Sequence, residues 1–206
     1  IVEIAILLFS FDRETGRFLS RDDYYQGYQE PSFEIAPEAT RVHGLTRENL
    51  RGRRIDRSKV RELLGAADFL VAHNAVFDRS FICSAFPEFR GKEWHCSMRS
   101  INWIATGCRN KQLQTILAHH SIIPTRAHSA DDDVACLFEL LGRENRRTSQ
   151  PFFMEVMNAL PVRTSMEMSR EGNPGKYLYG IYVDEWEEWM ASYLKSNPRI
   201  RQRKWD

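Results

Sequence analysis

The 206-residue sequence predicts an α/β fold in which helices pack on the faces of a mixed sheet. Two observations support this prediction. Residues 1–28 contain two strand patterns joined by turn residues, and residues 58–141 alternate between short strand patterns and helical ones. The chain is long enough to bury a core, and its longest apolar run is far shorter than the roughly 18 residues that a membrane span requires.

The first two strand patterns are expected to form a β-hairpin. Residues 1–9 are apolar and β-branched apart from Glu3, which predicts a strand buried on both faces. Residues 12–17 contain an Asp-x-x-Thr-Gly sequence that is ordinary hairpin chemistry, with Gly16 free to adopt a positive φ. Residues 18–28 then return as the antiparallel partner.

Helices and strands are expected to alternate after the hairpin, because apolar side chains recur at helical spacing between short apolar runs. The expected elements are a helix over 58–67, a strand over 68–72, a helix that follows Asn74, a strand over 94–98, helical turns over 101–105 and 113–118, and a helix over 129–141. The apolar side chains that define the helix after Asn74 and the last helix are Phe77, Phe81, Ile82, Val134, Leu137, Phe138 and Leu141.

The domain organisation follows a change in composition after residue 142. Residues 1–144 are predicted to form the main domain, and residues 145–150 are a polar linker. Residues 151–206 mix Met, aromatic and charged residues without a clear period. They are expected to form a small appended module or packing tail, which is a candidate surface for a protein partner.

The cysteines predict neither a zinc site nor a disulfide framework. Cys83, Cys96, Cys108 and Cys136 stand far apart and include no Cys-x-x-Cys pair. They are therefore expected to be buried free thiols in a reducing, cytoplasmic environment.

Three short stretches carry groups with catalytic potential, and they cover residues 42–46, 73–78 and 128–133. Asp78 and Asp133 fall in the first turns of predicted helices, and carboxylates are ligands that Mg²⁺ prefers. Two divalent ions can stabilise both the attacking and the leaving oxygen of a phosphodiester. His128 lies on the loop before its helix, and histidine is a base that titrates near neutral pH.

Each of these residues also has an ordinary structural interpretation. Asp78 is equally well placed as a helix-start carboxylate that the helix dipole favours. Residues 131–133 can be a solvated acidic helix start, and His128 alone can be an unremarkable loop residue. The combination of the three, in one order and spacing, favours a catalytic site.

That combination resembles the DEDDh (DnaQ-like) 3′–5′ exonucleases. The matching strings are Ile-Val-Glu-Ile-Ala, Val-His-Gly-Leu-Thr, His-Asn-Ala-Val-Phe-Asp and His-Ser-Ala-Asp-Asp-Asp, in the family's order over about residues 1–142. The stretches Val71 to Asp78 and Glu93 to Met98 are most similar to members of the exodeoxyribonuclease X type.

The resemblance implies a ribonuclease H-like fold with a mixed five-stranded sheet, and a metal-dependent 3′–5′ exonuclease. It makes Asp78 and Asp133 ligands of two divalent ions, Mg²⁺ or Mn²⁺, and His128 the general base. Family members hold the 3′-terminal nucleotide near the loop that matches His43. His43 and Asn74 are therefore weaker candidates for substrate binding, and a plain N-cap is an equal alternative for Asn74.

The family's first motif, an Asp-x-Glu on the central strand, would precede Ile1 and supply further carboxylate ligands. We therefore expect the natural chain to start upstream of Ile1, and we expect residues 1–206 alone to be impaired. Asp12-Arg13-Glu14 matches the letters of that motif. It follows the Ile-Val-Glu-Ile strand instead of preceding it, so a hairpin turn is the preferred interpretation.

Charge placement favours a nucleic-acid partner. Residues 41–64 contain eight basic and three acidic side chains, a net charge of +5 in a chain whose total is +1. This basic block follows the His43 loop and is placed to track phosphates, with a solvated helix face as the structural alternative. The expected substrates are single-stranded or frayed 3′ ends of DNA or RNA, with nucleoside 5′-monophosphates as products.

Two other functions stay open on the same fold. One is a catalytically silent nucleic-acid-binding protein, which the missing first motif favours. The other is a proofreading subunit that works with a polymerase and docks through residues 151–206.

Overall fold

Strands and helices alternate along the computed structural model, which describes residues 1–126 and 128–162. This alternation confirms the predicted α/β class. None of the helices in these ranges combines the length and the apolar character that a membrane span needs. In chain order the strands and α-helices are β1 (Glu3–Phe11), β2 (Phe18–Tyr28), α1 (Pro37–His43), α2 (Arg47–Leu50), α3 (Arg57–Ala66), β3 (Phe69–Ala72), α4 (Ala75–Ala85), β4 (Glu93–Cys96), α5 (Ser97–Ser100), α6 (Leu113–His119), α7 (Ala130–Gly142), β5 (Glu144–Asn145), β6 (Gln150–Pro151) and α8 (Phe152–Asn158).

The predicted N-terminal hairpin is confirmed, and its turn accounts for the Asp-x-Glu letters at residues 12–14. β1 and β2 pair antiparallel from Glu3 opposite Tyr28 onward. Asp12 Oδ1 accepts hydrogen bonds from the backbone N–H of Glu14 at 3.1 Å and of Thr15 at 2.7 Å. The Asp12 carboxylate therefore closes the turn, and its bonds to Thr15 lower its pKa.

The strands of the described residues pair two by two. β1 pairs with β2, β3 runs parallel to β4, and β5 pairs with β6. The expectation of one mixed five-stranded sheet is therefore not met within residues 1–126 and 128–162, because no ladder of hydrogen bonds joins β1 to β3. The ribonuclease H-like arrangement stays a prediction.

Two clusters of buried apolar side chains hold the layers together. The first is aromatic and joins the hairpin, α6, α7 and α8, with Trp103, Phe152 and Phe153 fully buried. The second joins α3, α4 and β4, and the predicted apolar face of α3 supplies Val60 and Leu64 to it. Burial of such side chains is the main stabilising contribution of both layers.

The prediction of helical turns over residues 101–105 is wrong, because α5 ends at Ser100 and the chain continues in non-helical turns. The Trp103 indole is fully buried and donates a 2.9 Å hydrogen bond to the Ser97 carbonyl. The backbone N–H of Cys108 returns to the Trp103 carbonyl at 3.0 Å. Burial of one large ring therefore overrides the local helical pattern.

Two predicted apolar helix faces differ from the observed ones. On α4, Phe77 and Phe81 are 60% and 43% exposed and pack on each other, with ring centroids 4.8 Å apart, while Ile82 is buried. On α7 the buried side chains are Cys136, Leu140 and Leu141. Of the residues expected to face inward there, Val134, Leu137 and Phe138 are only partly buried.

The segment predicted as a linker lies between two short strands, since Asn145 of β5 pairs with Gln150 of β6. α8 follows directly and buries Phe152, Phe153 and Val156 in the aromatic cluster. The first residues of the predicted extension over 151–206 therefore belong to the core, while residues 163–206 and the predicted role in partner binding lie outside the described residues.

Substitution of Gly16 tests how tightly the hairpin turn packs on α8. Gly16 has φ +68°, and a Cβ built there would lie 2.4 Å from Met154 Cγ. Gly16→Ala should lower the free energy of unfolding by roughly 2–4 kcal/mol, through left-handed strain plus overpacking. Urea denaturation measures this loss.

Gly52→Ala is the matched control, because Gly52 has φ +71° and open space around it. It should cost only about 1 kcal/mol. In a Met154→Ala background, the added cost of Gly16→Ala should fall to a similar value, because the close contact is gone. Equal losses for the two single glycine variants would contradict the packing argument.

Candidate active site

Asp131 and Asp132, in the first turn of α7, hydrogen-bond to the hairpin and to the preceding loop. Asp131 accepts a hydrogen bond from the Tyr24 hydroxyl on β2, and Asp132 accepts one from the backbone N–H of Arg126. Burial and the nearby Asp131 carboxylate raise the pKa of Tyr24, so its hydroxyl remains a donor. The acidic run is therefore partly buried and bonded, and is not simply a solvated helix end.

The two predicted metal ligands, Asp78 and Asp133, influence each other electrostatically. Burial, and to a smaller extent the charge of Asp133, raises the pKa of Asp78 to about 6. Burial also raises the pKa of Asp133, which the charge of His128 and a hydrogen bond from Gln114 Nε2 at 3.0 Å partly offset. Asp133 therefore lies close enough to interact with both Asp78 and His128, and Gln114 holds the Asp133 carboxylate.

The predicted base lies on a strained turn at the helix start. His128 has φ +63°, a conformation that costs a non-glycine residue about 1 kcal/mol or more, and its side chain is exposed. Its backbone hydrogen-bonds to the Asp133 carboxylate. The imidazole can therefore reach solvent while the loop stays attached to α7.

Asn74 occupies the N-cap position of α4 without acting as a cap. Its backbone is left-handed, with φ +67° and ψ +48°, and its side chain makes no capping bond. The preceding His73 is held at both ring nitrogens, by Ser97 Oγ at 2.9 Å and by the Lys111 carbonyl at 2.8 Å. Asn74 is therefore the N-cap residue by position, as the alternative had it, but its side chain does not cap the helix, and its amide stays a candidate for substrate binding.

The structure does not bring His43 to the carboxylates. His43 ends α1, and its Nδ1 accepts the backbone N–H of Leu45 at 3.0 Å. Within the described part of the chain, no hydrogen bond or ion pair connects His43 to Asp78 or Asp133. Its substrate role stays a prediction.

Glu3 is a site-positioning residue that sequence reasoning missed. Its carboxylate is only 7% exposed, and its Oε1 accepts hydrogen bonds from Gln26 Nε2 at 3.0 Å and Ser129 Oγ at 3.2 Å. The Arg126 guanidinium lies 3.8 Å from it. Glu3 thus links β1 to the residue before α7. A single acid inside an apolar strand is the one feature of the sequence that sets Glu3 apart, and it does not identify the partner.

The chemistry of the carboxylate site suits part of a hard-metal site. Asp78 and Asp133 offer the oxygen ligands that Mg²⁺ and Mn²⁺ prefer, and a bound cation would stabilise the ionised form of Asp78, which burial and the charge of Asp133 disfavour. Within residues 1–126 and 128–162, these carboxylates belong to no cluster of three close ligand groups. They fit two of the ligand positions that a metal would need.

Comparison of the sequence with known proteins finds similarity to DNA polymerases of one type. No family model matches the chain. It is 27% identical over 155 residues to the DNA polymerase III PolC-type of Thermotoga maritima, and 27% identical over 153 residues to that of Thermotoga petrophila. These alignments cover 72% and 71% of this chain but only 10% of each relative. The chain is thus similar, over most of its length, to a portion of two much longer proteins.

Replacing Asp78 should change how stability depends on pH. Because the folded-state pKa of about 6 exceeds the ordinary aspartate value of 3.8, the Asp78 carboxyl keeps its proton to a higher pH in the folded state than in the unfolded state. Stability of the metal-free protein should therefore fall as pH rises from about 4 to about 7. Asp78→Asn should remove part of this fall and be roughly 1–3 kcal/mol more stable than the unsubstituted protein at pH 7.5.

Urea denaturation in EDTA at pH 4.5 and 7.5 measures the effect. Asp68→Asn is the control, because the Asp68 side chain is 79% exposed. It should leave the pH dependence unchanged. A fall as steep in Asp78→Asn as in the unsubstituted protein would contradict burial as the cause.

Proposed function

We propose that this protein is a metal-dependent 3′–5′ exonuclease that acts on single-stranded or frayed 3′ ends of DNA and releases nucleoside 5′-monophosphates. One observation carries the proposal. Asp78 and Asp133 are partly buried at the starts of two helices and interact with each other, and the His128 backbone is bonded to Asp133. Buried carboxylates with raised pKa values beside a histidine are typical of catalytic sites.

The residues of the site have complementary roles in this proposal. His128 accepts the proton of the attacking water, and the Asp133 carboxylate stabilises the imidazolium that forms. Asp78 and Asp133 hold Mg²⁺ or Mn²⁺, which when bound stabilises the attacking and leaving oxygens of the phosphodiester. Phe77 and Phe81 form an exposed aromatic pair beside Asp78, on which terminal bases can stack.

The likeness to DNA polymerases favours DNA over RNA as the polymer. It also favours, as a second candidate, a proofreading exonuclease that works in a polymerase context. The two candidates share one site and one reaction, and they differ in whether the protein acts alone.

The proposed reaction predicts shortening of single-stranded DNA from its 3′ end. The complete gene product should degrade a 5′-labelled oligonucleotide in Mg²⁺ or Mn²⁺ and leave one with a blocked 3′ end intact. His128→Ala should slow turnover by about 10²–10⁴-fold, because the base is lost. Binding of the 3′ end, followed by fluorescence anisotropy in Ca²⁺, should change little.

Residues 1–206 alone should turn over slowly, because two carboxylates concentrate too little charge to hold Mg²⁺ firmly. Rapid hydrolysis by residues 1–206 would refute the need for a further Asp-x-Glu. Turnover that survives His128→Ala would refute the base assignment. Binding without any hydrolysis by the complete gene product would favour the silent binder.

The basic block at residues 41–64 is partly neutralised by its own neighbours. Arg47 pairs with Glu34 at 2.6 Å, and Arg61 pairs with Glu88 at 2.7 Å. The Lys59 ammonium lies 2.6 Å from Asp23. By contrast, Arg51 and Arg54 are exposed, and neither side chain pairs with another described residue. These two arginines are the best placed in the block to contact phosphates.

The salt dependence of DNA binding tests this difference. Arg51→Gln combined with Arg54→Gln should reduce the slope of log K against log salt by about 1.4, since each phosphate contact on a single strand contributes about 0.7. Arg61→Gln is the control and should change the slope less, because Arg61 is already paired with Glu88. An unchanged slope in the double variant would exclude these arginines from the interface.

A further inference from the structure

A second group of metal-binding side chains lies outside the carboxylate site. Cys108, His119 and His120 each present one ligand atom, and these atoms all lie within 4.8 Å of one another. His119 ends α6 and His120 follows it, whereas Cys108 comes from the turns after Trp103. It is the one such group of three within residues 1–126 and 128–162.

One nitrogen of His120 is buried without a partner, although the group as a whole is only partly buried. Nε2 of His120 is buried and has no hydrogen bond. Cys108 is 3% exposed, and the Thr106 hydroxyl, at 3.6 Å, is the one hydrogen-bond partner of its Sγ among the described residues. A buried nitrogen without a partner is costly, so a native structure that keeps one calls for an explanation such as a bound ion.

The backbone around the group is arranged to bring the side chains together. Gly107 has φ +98°, a conformation that favours glycine, and a Cβ there would lie 3.1 Å from Cε1 of His119, so the imidazole packs closely on the Gly107 backbone. Arg143 on the far side donates a hydrogen bond to the His120 carbonyl and holds the end of α6.

We propose that Cys108, His119 and His120 bind a Zn²⁺ ion, with a water molecule as the fourth ligand. One thiolate and two imidazoles form a ligand set that suits zinc and disfavours Mg²⁺. Ligand atoms of a tetrahedral zinc site lie about 3.4–3.6 Å apart, so side-chain shifts of about 1 Å close the site. His119 is exposed, which gives the ion a path from solvent.

The charges around the site set the conditions for binding. Cys108 loses its thiol proton to solvent as the metal–sulfur bond forms. The Arg143 and Arg146 guanidinium groups lie near His120 and oppose a cation, and the thiolate charge offsets them.

Cobalt titration of the metal-free full chain in excess Mg²⁺ tests this site. Co²⁺ bound through Cys108 should give a thiolate-to-cobalt charge-transfer band in the near ultraviolet, and Zn²⁺ should displace it. Cys108→Ser should abolish the band and weaken Zn²⁺ binding more than about tenfold. Cys83→Ser is the matched control, because Cys83 lies on α4 outside the group, and it should keep the band.

Two further variants keep the test decisive. His119 is exposed, so His119→Ala should fold and still weaken Co²⁺ binding more than about tenfold. Asp78→Asn should keep the band, which separates this site from the proposed exonuclease site. A band that is absent, or that persists in Cys108→Ser, or an unchanged affinity in His119→Ala, would overturn the proposal.

Discussion

The buried contact between Glu3 and the start of α7 is the interaction on which the candidate site depends. Glu3 is only 7% exposed, and its carboxylate binds Ser129 and faces Arg126. Ser129 is itself buried, and its side chain is bonded to Glu3 and Arg126 instead of capping the helix. A buried carboxylate must keep its partners, because loss of any of them leaves a desolvated charge. The hairpin therefore determines where Asp133 and His128 lie.

This arrangement places two carboxyl groups, those of Asp78 and Asp133, in partly buried positions where ionisation is costly. Asp78 and Asp133 both have raised pKa values, since burial disfavours their ionised forms and the charge of Asp133 adds to the effect at Asp78. Two non-glycine residues with left-handed backbones lie at the starts of the helices that carry these carboxylates. Asn74 directly precedes α4, and His128 lies two residues before α7. Strain and buried charge that coincide in this way cost stability, and proteins retain such features mainly at functional sites.

The sequence predicts those parts of the structure that depend on the local residue pattern. The hairpin turn at Asp12 and the buried face of α3 follow from spacing and turn chemistry, and so does the position of Asp78 after β3. It missed contacts between elements that are distant in the chain. Glu3 meets Ser129 across 126 positions, and nothing local to either residue indicates that contact. α8 was missed because adjacent phenylalanines at 152 and 153 show no helical period, although both are fully buried.

Helix α6 connects the two groups of potential metal ligands. Gln114 in its first turn donates a hydrogen bond to Asp133, and His119 at its last position belongs to the Cys108 group. α6 has only seven residues, too few to be stable as an isolated helix. Its conformation must therefore come from contacts at its two ends and from the buried Ile116 and Leu117. An ion held at its C-terminal end would restrict the fraying of α6, and it would thereby keep Gln114 against Asp133 without touching the carboxylate site.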